Sequence, residues 1–176
     1  MSSLATDLTA LVRDVPDWPR PGVLFKDITP LLADARAFAG TVDALAAAFA
    51  DVEVDVVLGI EARGFIFAAP VAHKIGAGFV PVRKAGKLPW ELEREEYELE
   101  YGTDLLEIHR DAVMDGQRVL IIDDVLATGG TAAATAALVE RLGAVVVGLG
   151  FVLELELLLG RSKLGGRRVT SLVTYA

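Results

Sequence analysis

Val119–Ala134 reads VLIIDDVLATGGTAAA, and the order of its residues decides the fold. Val119–Ile122 is an apolar run of the kind buried on both faces in a parallel sheet. Asp123 and Asp124 follow at its carboxyl end, where open α/β sheets place their ligand crevice. Thr128-Gly129-Gly130-Thr131 then opens an alanine-rich helix with small residues, hydroxyls and unpaired backbone N–H groups. Such an end attracts a phosphate dianion, because the orphan N–H groups and the helix dipole both favour negative charge. No Gly-Lys-Ser/Thr is present, so this is not a Walker A loop, and it is not a GxGxxG fingerprint. Taken alone, Asp-Asp before a Gly-rich turn is equally a strand end with a helix cap. The complete order reads as a site for a ribose 5-phosphate, with carboxylates for the sugar hydroxyls beside a cradle for the phosphate.

The 176 residues suffice for one domain with a full core. Hydrophobic residues reach 53%, yet no apolar run approaches the roughly 18 residues of a membrane span. The start, MSSLATDLTALVRDV, lacks a basic segment followed by an apolar one, so no signal peptide is expected. The absence of cysteine excludes disulfides and thiolate metal sites. A net charge of −8 argues against a nucleic-acid surface and no membrane partner is expected, so the expected location is the cytoplasm. A protein this acidic must gather positive charge locally to bind an anionic substrate.

Strand–helix alternation with buried apolar strands predicts an α/β fold on a mostly parallel sheet flanked by helices. A short amphipathic helix is expected over Ser3–Val12, followed by an extended, turn-rich segment forced by Pro16, Pro19 and Pro21. Helical spacing of Phe38, Val42, Leu45 and Phe49 predicts a helix over Ala35–Asp51. Strands are expected at Val54–Ile60, Phe79–Val82, Ala144–Leu153 and Val169–Thr174, and further helices at Arg63–Gly76 and about Gly130–Leu142. Arg83 to about Glu95 has no periodicity and reads as a loop. Tyr97–Tyr101 and Leu105–His109 read as paired strands around Gly102. There are no repeats and no interior linker.

Two further segments carry chemistry. Glu61-Ala62-Arg63-Gly64 joins a strand end to a helix, so it faces the same crevice as Asp123. Its N–H groups and the Arg63 guanidinium suit a diphosphate, although Glu61 and Arg63 could also form a plain surface ion pair. Arg83-Lys84-Ala85-Gly86-Lys87 puts three cations past a strand end. It is either a solvated face or the charge that neutralises the substrate. Side chains of Asp123 and Asp124 leave opposite faces of extended backbone. One is therefore expected to bind the ribose hydroxyls, and the other to orient a loop or a metal-bound water.

The Val119–Ala134 stretch resembles the phosphoribosyl-diphosphate (PRPP) motif of the type I phosphoribosyltransferases. PGVLFKDITPLL (Pro21–Leu32), GIEARGFIFAAPVA (Gly59–Ala72), FVPVRKAGKLP (Phe79–Pro89) and EEYELEYGTDLLEIHRDAV (Glu95–Val113) narrow that resemblance to the adenine phosphoribosyltransferases. It implies one domain over 1–176, with an N-terminal hood over about 1–34 and a flexible lid over about 83–100. It implies transfer of the phosphoribosyl group from PRPP to adenine, giving AMP and pyrophosphate with inversion at C1. By the same resemblance Ala127, Thr128, Gly129, Gly130 and Thr131 hold the 5-phosphate. Pyrophosphate falls to Glu61, Ala62, Arg63, Gly64, Arg83, Lys84 and Lys87, in a loop that often holds a non-proline cis peptide. Leu24, Phe25 and Lys26 meet the adenine, largely through backbone groups, although sequence alone would put Phe25 in the core. Glu100 is the candidate acid/base and Tyr101 its neighbour, although both could be plain strand residues; Asp123, Asp124 and Arg63 complete the catalytic set. Mg²⁺ is expected to arrive on the diphosphate with its waters rather than in a protein cage. A homodimer is implied. Relatives selecting 6-oxopurines lack the PGVLFKDITPLL and EYELEYG pair, and PRPP-sensing transcription regulators would carry a DNA-binding domain or a basic face.

Overall fold

The structure, a computed structural model, describes residues 4–98 and 103–176. Its centre is a seven-stranded sheet built on the stretch that opened the sequence. Helix α1 (Leu4–Ala10) leads into a hairpin of β1 (Arg13–Pro16) and β2 (Leu24–Asp27), then α2 (Thr29–Ala33) and α3 (Ala35–Ala47). The crossover units follow: β3 (Val56–Ile60), α4 (Gly64–Ile75), β4 (Gly78–Lys84), β5 (Leu92–Glu98), β6 (Thr103–His109), β7 (Arg118–Leu126), α5 (Gly130–Arg141), β8 (Val145–Leu155) and β9 (Val169–Tyr175). Sheet order is β5-β6-β4-β3-β7-β8-β9. The five strands from β4 to β9 in that order pair in parallel, while β6 and β5 are antiparallel additions at one edge.

β7 shows why the sheet needs both faces covered. Val119 and Ile121 pack toward α5, whereas Leu120 and Ile122 pack toward α1, α3 and α4. All five residues of β3 are buried, which only a sheet layered by helices on both sides allows. The helices approach closely at small residues: a Cβ on Gly59 would lie 2.8 Å from the Cβ of Ala68. Helix starts and stops follow local chemistry. Asp34 caps α3 by accepting hydrogen bonds from the N–H groups of Arg36 and Ala37, each at 2.9 Å.

Several expectations need correction. α3 stops at Ala47, not Asp51; the chain continues in i→i−3 turns that still bury Phe49. The proline-rich N-terminal stretch is not merely turns, since Arg13–Pro16 and Leu24–Asp27 pair as a hairpin, with α2 after it. The segment from Arg83 to Glu95 is not a loop. β4 runs on through Lys84, and β5 starts at Leu92, in register from Leu92 opposite His109 to Glu98 opposite Thr103. Only residues 85–91 connect them. The pattern hid this strand because β5 meets α5 partly through charge: Arg141, in the last turn of α5, donates to Glu93 Oε1 at 3.2 Å and to the carbonyl of Arg94 at 2.7 Å, and also pairs with Glu95. β7 likewise continues to Leu126, so Asp123 and Asp124 lie among its last four residues rather than beyond it.

Candidate active site

The carboxyl ends of β3, β4 and β7 are adjacent in the sheet, and the loops leaving them form the site. After β7, Ala127, Thr128 and Gly129 form the turn, and Gly130 and Thr131 begin α5. Gly129 sits in left-handed backbone (φ 76°), and a Cβ there would come 2.3 Å from the carbonyl oxygen of Gly160. Glycine is required on both counts. A small cavity of about 60 Å³ lies in this turn, lined by Asp123 and residues of the loop and first turn. It meets the requirements of a phosphate cradle at a helix N-terminus.

Glu61 and Ala62 form the turn after β3 and are joined by a cis peptide bond, as the resemblance implies. Arg63 caps α4 and Gly64 is its first residue. Gly64 is small because β7 lies against it: a Cβ would stand 2.6 Å from Asp123 Oδ1. Arg63 Nε lies 2.7 Å from Asp124 Oδ2, an ion pair without hydrogen-bond alignment. Asp123 Oδ1 instead accepts from the N–H of Asp124 at 2.9 Å. The two carboxylates thus have different partners. Burial pushes Asp123 well above the ordinary aspartate range, and the Asp124 charge pushes it further. Burial raises Asp124 as well, with Arg63 opposing.

The three cations at and just past the end of β4 converge on carboxylates. Glu61 Oε2 accepts from Arg83 Nε at 3.1 Å and from the N–H of Lys84 at 2.9 Å, and Oε1 accepts from Lys87 Nζ at 3.0 Å. Arg83 beside it holds the Glu61 carboxyl down to about 2 against the opposing effect of burial, with Lys84 and Lys87 adding to the lowering. The Lys84 ammonium pairs with Asp104 Oδ2 at 3.1 Å. Glu61 and Arg63 do not pair with each other: Arg63 turns to Asp124 and Glu61 to the strand next door. In the hood, the Phe25 ring lies edge-on to Trp18 (centroids 4.4 Å apart) with the Arg63 guanidinium 5.2 Å above it. Arg63 therefore touches hood and carboxylate at once. Leu24 and Lys26 point elsewhere, toward a cavity of about 730 Å³ shared with Leu155, Leu157 and Tyr175. The Lys26 ammonium is engaged by Asp14 at 2.6 Å and the Tyr175 ring at 4.1 Å. Glu100 and Tyr101 lie outside the described residues.

Three residues that sequence reasoning passed over support these groups. Buried Glu107 on β6 accepts from the N–H of Gly86 at 2.8 Å and from Arg94 Nε at 2.9 Å, fixing the turn that carries Lys87. Glu154, also buried, grips Arg161 in a fork with contacts of 2.6 and 2.7 Å, and holds the segment containing Gly160 under the phosphate loop. Asp104 holds Lys84. Asp104 and Glu107 fall inside the Glu95–Val113 segment that carries the resemblance, but no role pointed to them there, and only a carboxylate in an otherwise apolar strand could have drawn attention to Glu107 and Glu154.

Residues 26–156 match the family model described as "Phosphoribosyl transferase domain". An adenine phosphoribosyltransferase of Solibacter usitatus is 59% identical over 169 residues, covering 96% of this chain and 98% of that protein. The chain belongs to the adenine phosphoribosyltransferase family. The crystal structure of the family member from Thermoanaerobacter pseudethanolicus superposes with a TM-score of 0.95 at 53% identity, covering 98% of this chain and all of the other. The Saccharomyces cerevisiae adenine phosphoribosyltransferase, complexed with an imino-altritol bisphosphate and adenine, superposes at 0.91 with 44% identity, covering 98% and 99%. The type I fold expected from the sequence, with its mostly parallel sheet between helices, is therefore the fold of the family.

Proposed function

We propose that this protein transfers the 5-phosphoribosyl group of PRPP to adenine, releasing AMP and pyrophosphate in purine salvage. The observation that carries this reading is the convergence at Arg63, which lies against a β7 carboxylate and a hood aromatic at once. A guanidinium so placed joins a sugar-phosphate side to a base side. Ala127–Thr131 take the 5-phosphate on their N–H groups and hydroxyls. One of Asp123 and Asp124 binds the ribose hydroxyls and the other orients its surroundings; Asp124 is tied to Arg63 and Asp123 to backbone. The diphosphate lies toward the Glu61–Gly64 loop with Arg83, Lys84 and Lys87. Support for backbone reading of adenine comes from β2, whose only strand partner among the described residues is β1, which leaves its other edge for a base.

The bond from C1 to the diphosphate oxygen breaks as C1 gains the bond to adenine N9. The N9 proton leaves to a base, for which Glu100 is the candidate, and inversion follows from attack on the face opposite the leaving group. Positive charge placed before the reaction stabilises the leaving diphosphate. Mg²⁺ bound to that diphosphate would supply further charge neutralisation. Asp123 and Asp124, near the carboxyl end of β7, are the residues that would accept from its waters. Tyr101 and the segment around 83–100 would shield the oxocarbenium-like centre from water. The site of action is the cytoplasm, where charged phosphate esters are retained. A homodimer is supported by the exposed apolar run Leu157–Leu159.

Arg63→Ala and Asp124→Asn test the assignment. Each should lower kcat/KM for PRPP by roughly 10²-fold or more, the scale of losing one transition-state contact. Wild-type values in both variants would overturn the site.

A further inference from the structure

The cations assigned to the diphosphate are held by two carboxylates of different standing. Glu61 belongs to the diphosphate loop itself, whereas Asp104 lies on β6, outside every segment assigned to substrate. Its two oxygens are both in use. Oδ1 accepts from the N–H of Leu105 at 2.9 Å, and Oδ2 receives the Tyr97 hydroxyl at 3.2 Å and the Lys84 ammonium at 3.1 Å. Tyr97 reaches it from β5, directly across the ladder, where Tyr97 stands opposite Asp104. The Tyr97 ring packs against the core around α5. A polar chain thus runs Tyr97–Asp104–Lys84 to the diphosphate half of the site.

We propose that Asp104 is a positioning residue for the diphosphate half of the site, parking the Lys84 ammonium in the empty enzyme and yielding it to the diphosphate, with Tyr97 fixing Asp104 in place. The inference rests on the reading of Lys84 as a diphosphate contact. Half of the Lys84 side chain is exposed, against a quarter of that of Asp104, so the lysine can leave while the carboxylate stays. A bound diphosphate offers several anionic oxygens to an ammonium that otherwise has one carboxylate. The carboxylate therefore competes with the ligand, and its removal should strengthen binding, whereas loss of a merely structural contact would weaken it.

Asp104→Asn is close to isosteric and keeps one acceptor oxygen, for the Leu105 N–H, while its amide nitrogen can donate to the Tyr97 hydroxyl. Calorimetric titration of the full chain with magnesium pyrophosphate should give a Kd at least threefold lower in Asp104→Asn than in wild type, with the Kd for AMP within twofold. In a Lys84→Met background the same substitution should change the pyrophosphate Kd by less than a factor of 1.5, because no ammonium remains to release. An unchanged or higher Kd in Asp104→Asn overturns the proposal, as does tightening that persists without Lys84, which would be general charge removal. If Lys84→Met alone leaves the pyrophosphate Kd at the wild-type value, the assignment of Lys84 fails and the proposal falls with it. That result is separate from the Asp104 outcomes.

Discussion

Asp123 carries a cost that the fold tolerates for the sake of the site. Its half-buried side chain lies against the start of α4, and Gly64 is kept small to make room for it. Burial and the neighbouring Asp124 raise its pKa, so the folded state binds its proton more tightly than the unfolded chain does. For a group shifted upward the sign is fixed. Its favourable contribution is complete below the ordinary aspartate pKa and is lost as pH rises toward the folded value. Asp123→Asn removes that penalty while keeping an oxygen for the Asp124 N–H. It should raise Tm at pH 7.5 by roughly 2–4 °C, what about 1 kcal/mol is worth in a chain of this size, with the gain shrinking toward pH 4. Differential scanning calorimetry at both pH values checks it, and activity should fall. Glu61 has the opposite sign, since Arg83 holds it at about 2; its contribution is present above the ordinary glutamate range and lost as pH falls through that value. At this scale the sequence was informative about residue type and silent about partners. Glu61 and Arg63, two apart, looked like a pair, but they serve different neighbours because the turn between β3 and α4 sends their side chains apart.

The elements divide by how their burial is achieved. β3, β7 and β8 were legible because apolar runs buried on both faces have few alternatives, and the phosphate helix because its glycines and alanines permit little else. β5 was not, since LEREEYE carries its ladder under a charged surface and is fastened by Arg141. Its strand nature depends on its partner β6, and single-strand patterning does not report that. The phosphate loop also depends on an element distant in sequence. The segment Gly160–Leu164 passes beneath it so closely that a Cβ on Gly160 would stand 2.3 Å from the carbonyl oxygen of Ala127. Gly160→Ala must therefore move backbone, either of the segment or of the cradle. It should raise KM for PRPP roughly tenfold or more, as small misplacements of binding groups do, and lower Tm by at least ~4 °C. Steady-state kinetics beside a melting curve separates the two effects.

The whole molecule is acidic, yet the crevice gathers Arg63, Arg83, Lys84 and Lys87 at two neighbouring strand ends, those of β3 and β4. Positive charge is thus gathered where the anionic diphosphate of the proposed substrate would lie, within a chain of net charge −8. Apolar surface is local too. Leu157 is 79% and Leu159 71% exposed, close to the cavity under the hood, and Trp18 is half exposed. Covering such a run is the role we assign to a second copy of the chain; sedimentation velocity should show a single species at the mass of two chains, and a monomer at micromolar concentration would refute the assignment. The most direct test of the central claim is the rate of nucleotide and pyrophosphate formation from PRPP and Mg²⁺ with adenine, hypoxanthine, guanine and xanthine supplied separately. The account predicts AMP and pyrophosphate in equal amounts from adenine, with kcat/KM at least 10²-fold above that for each 6-oxopurine. Turnover of an oxopurine at a comparable rate, or no turnover of any base by a protein that still binds PRPP, would contradict it.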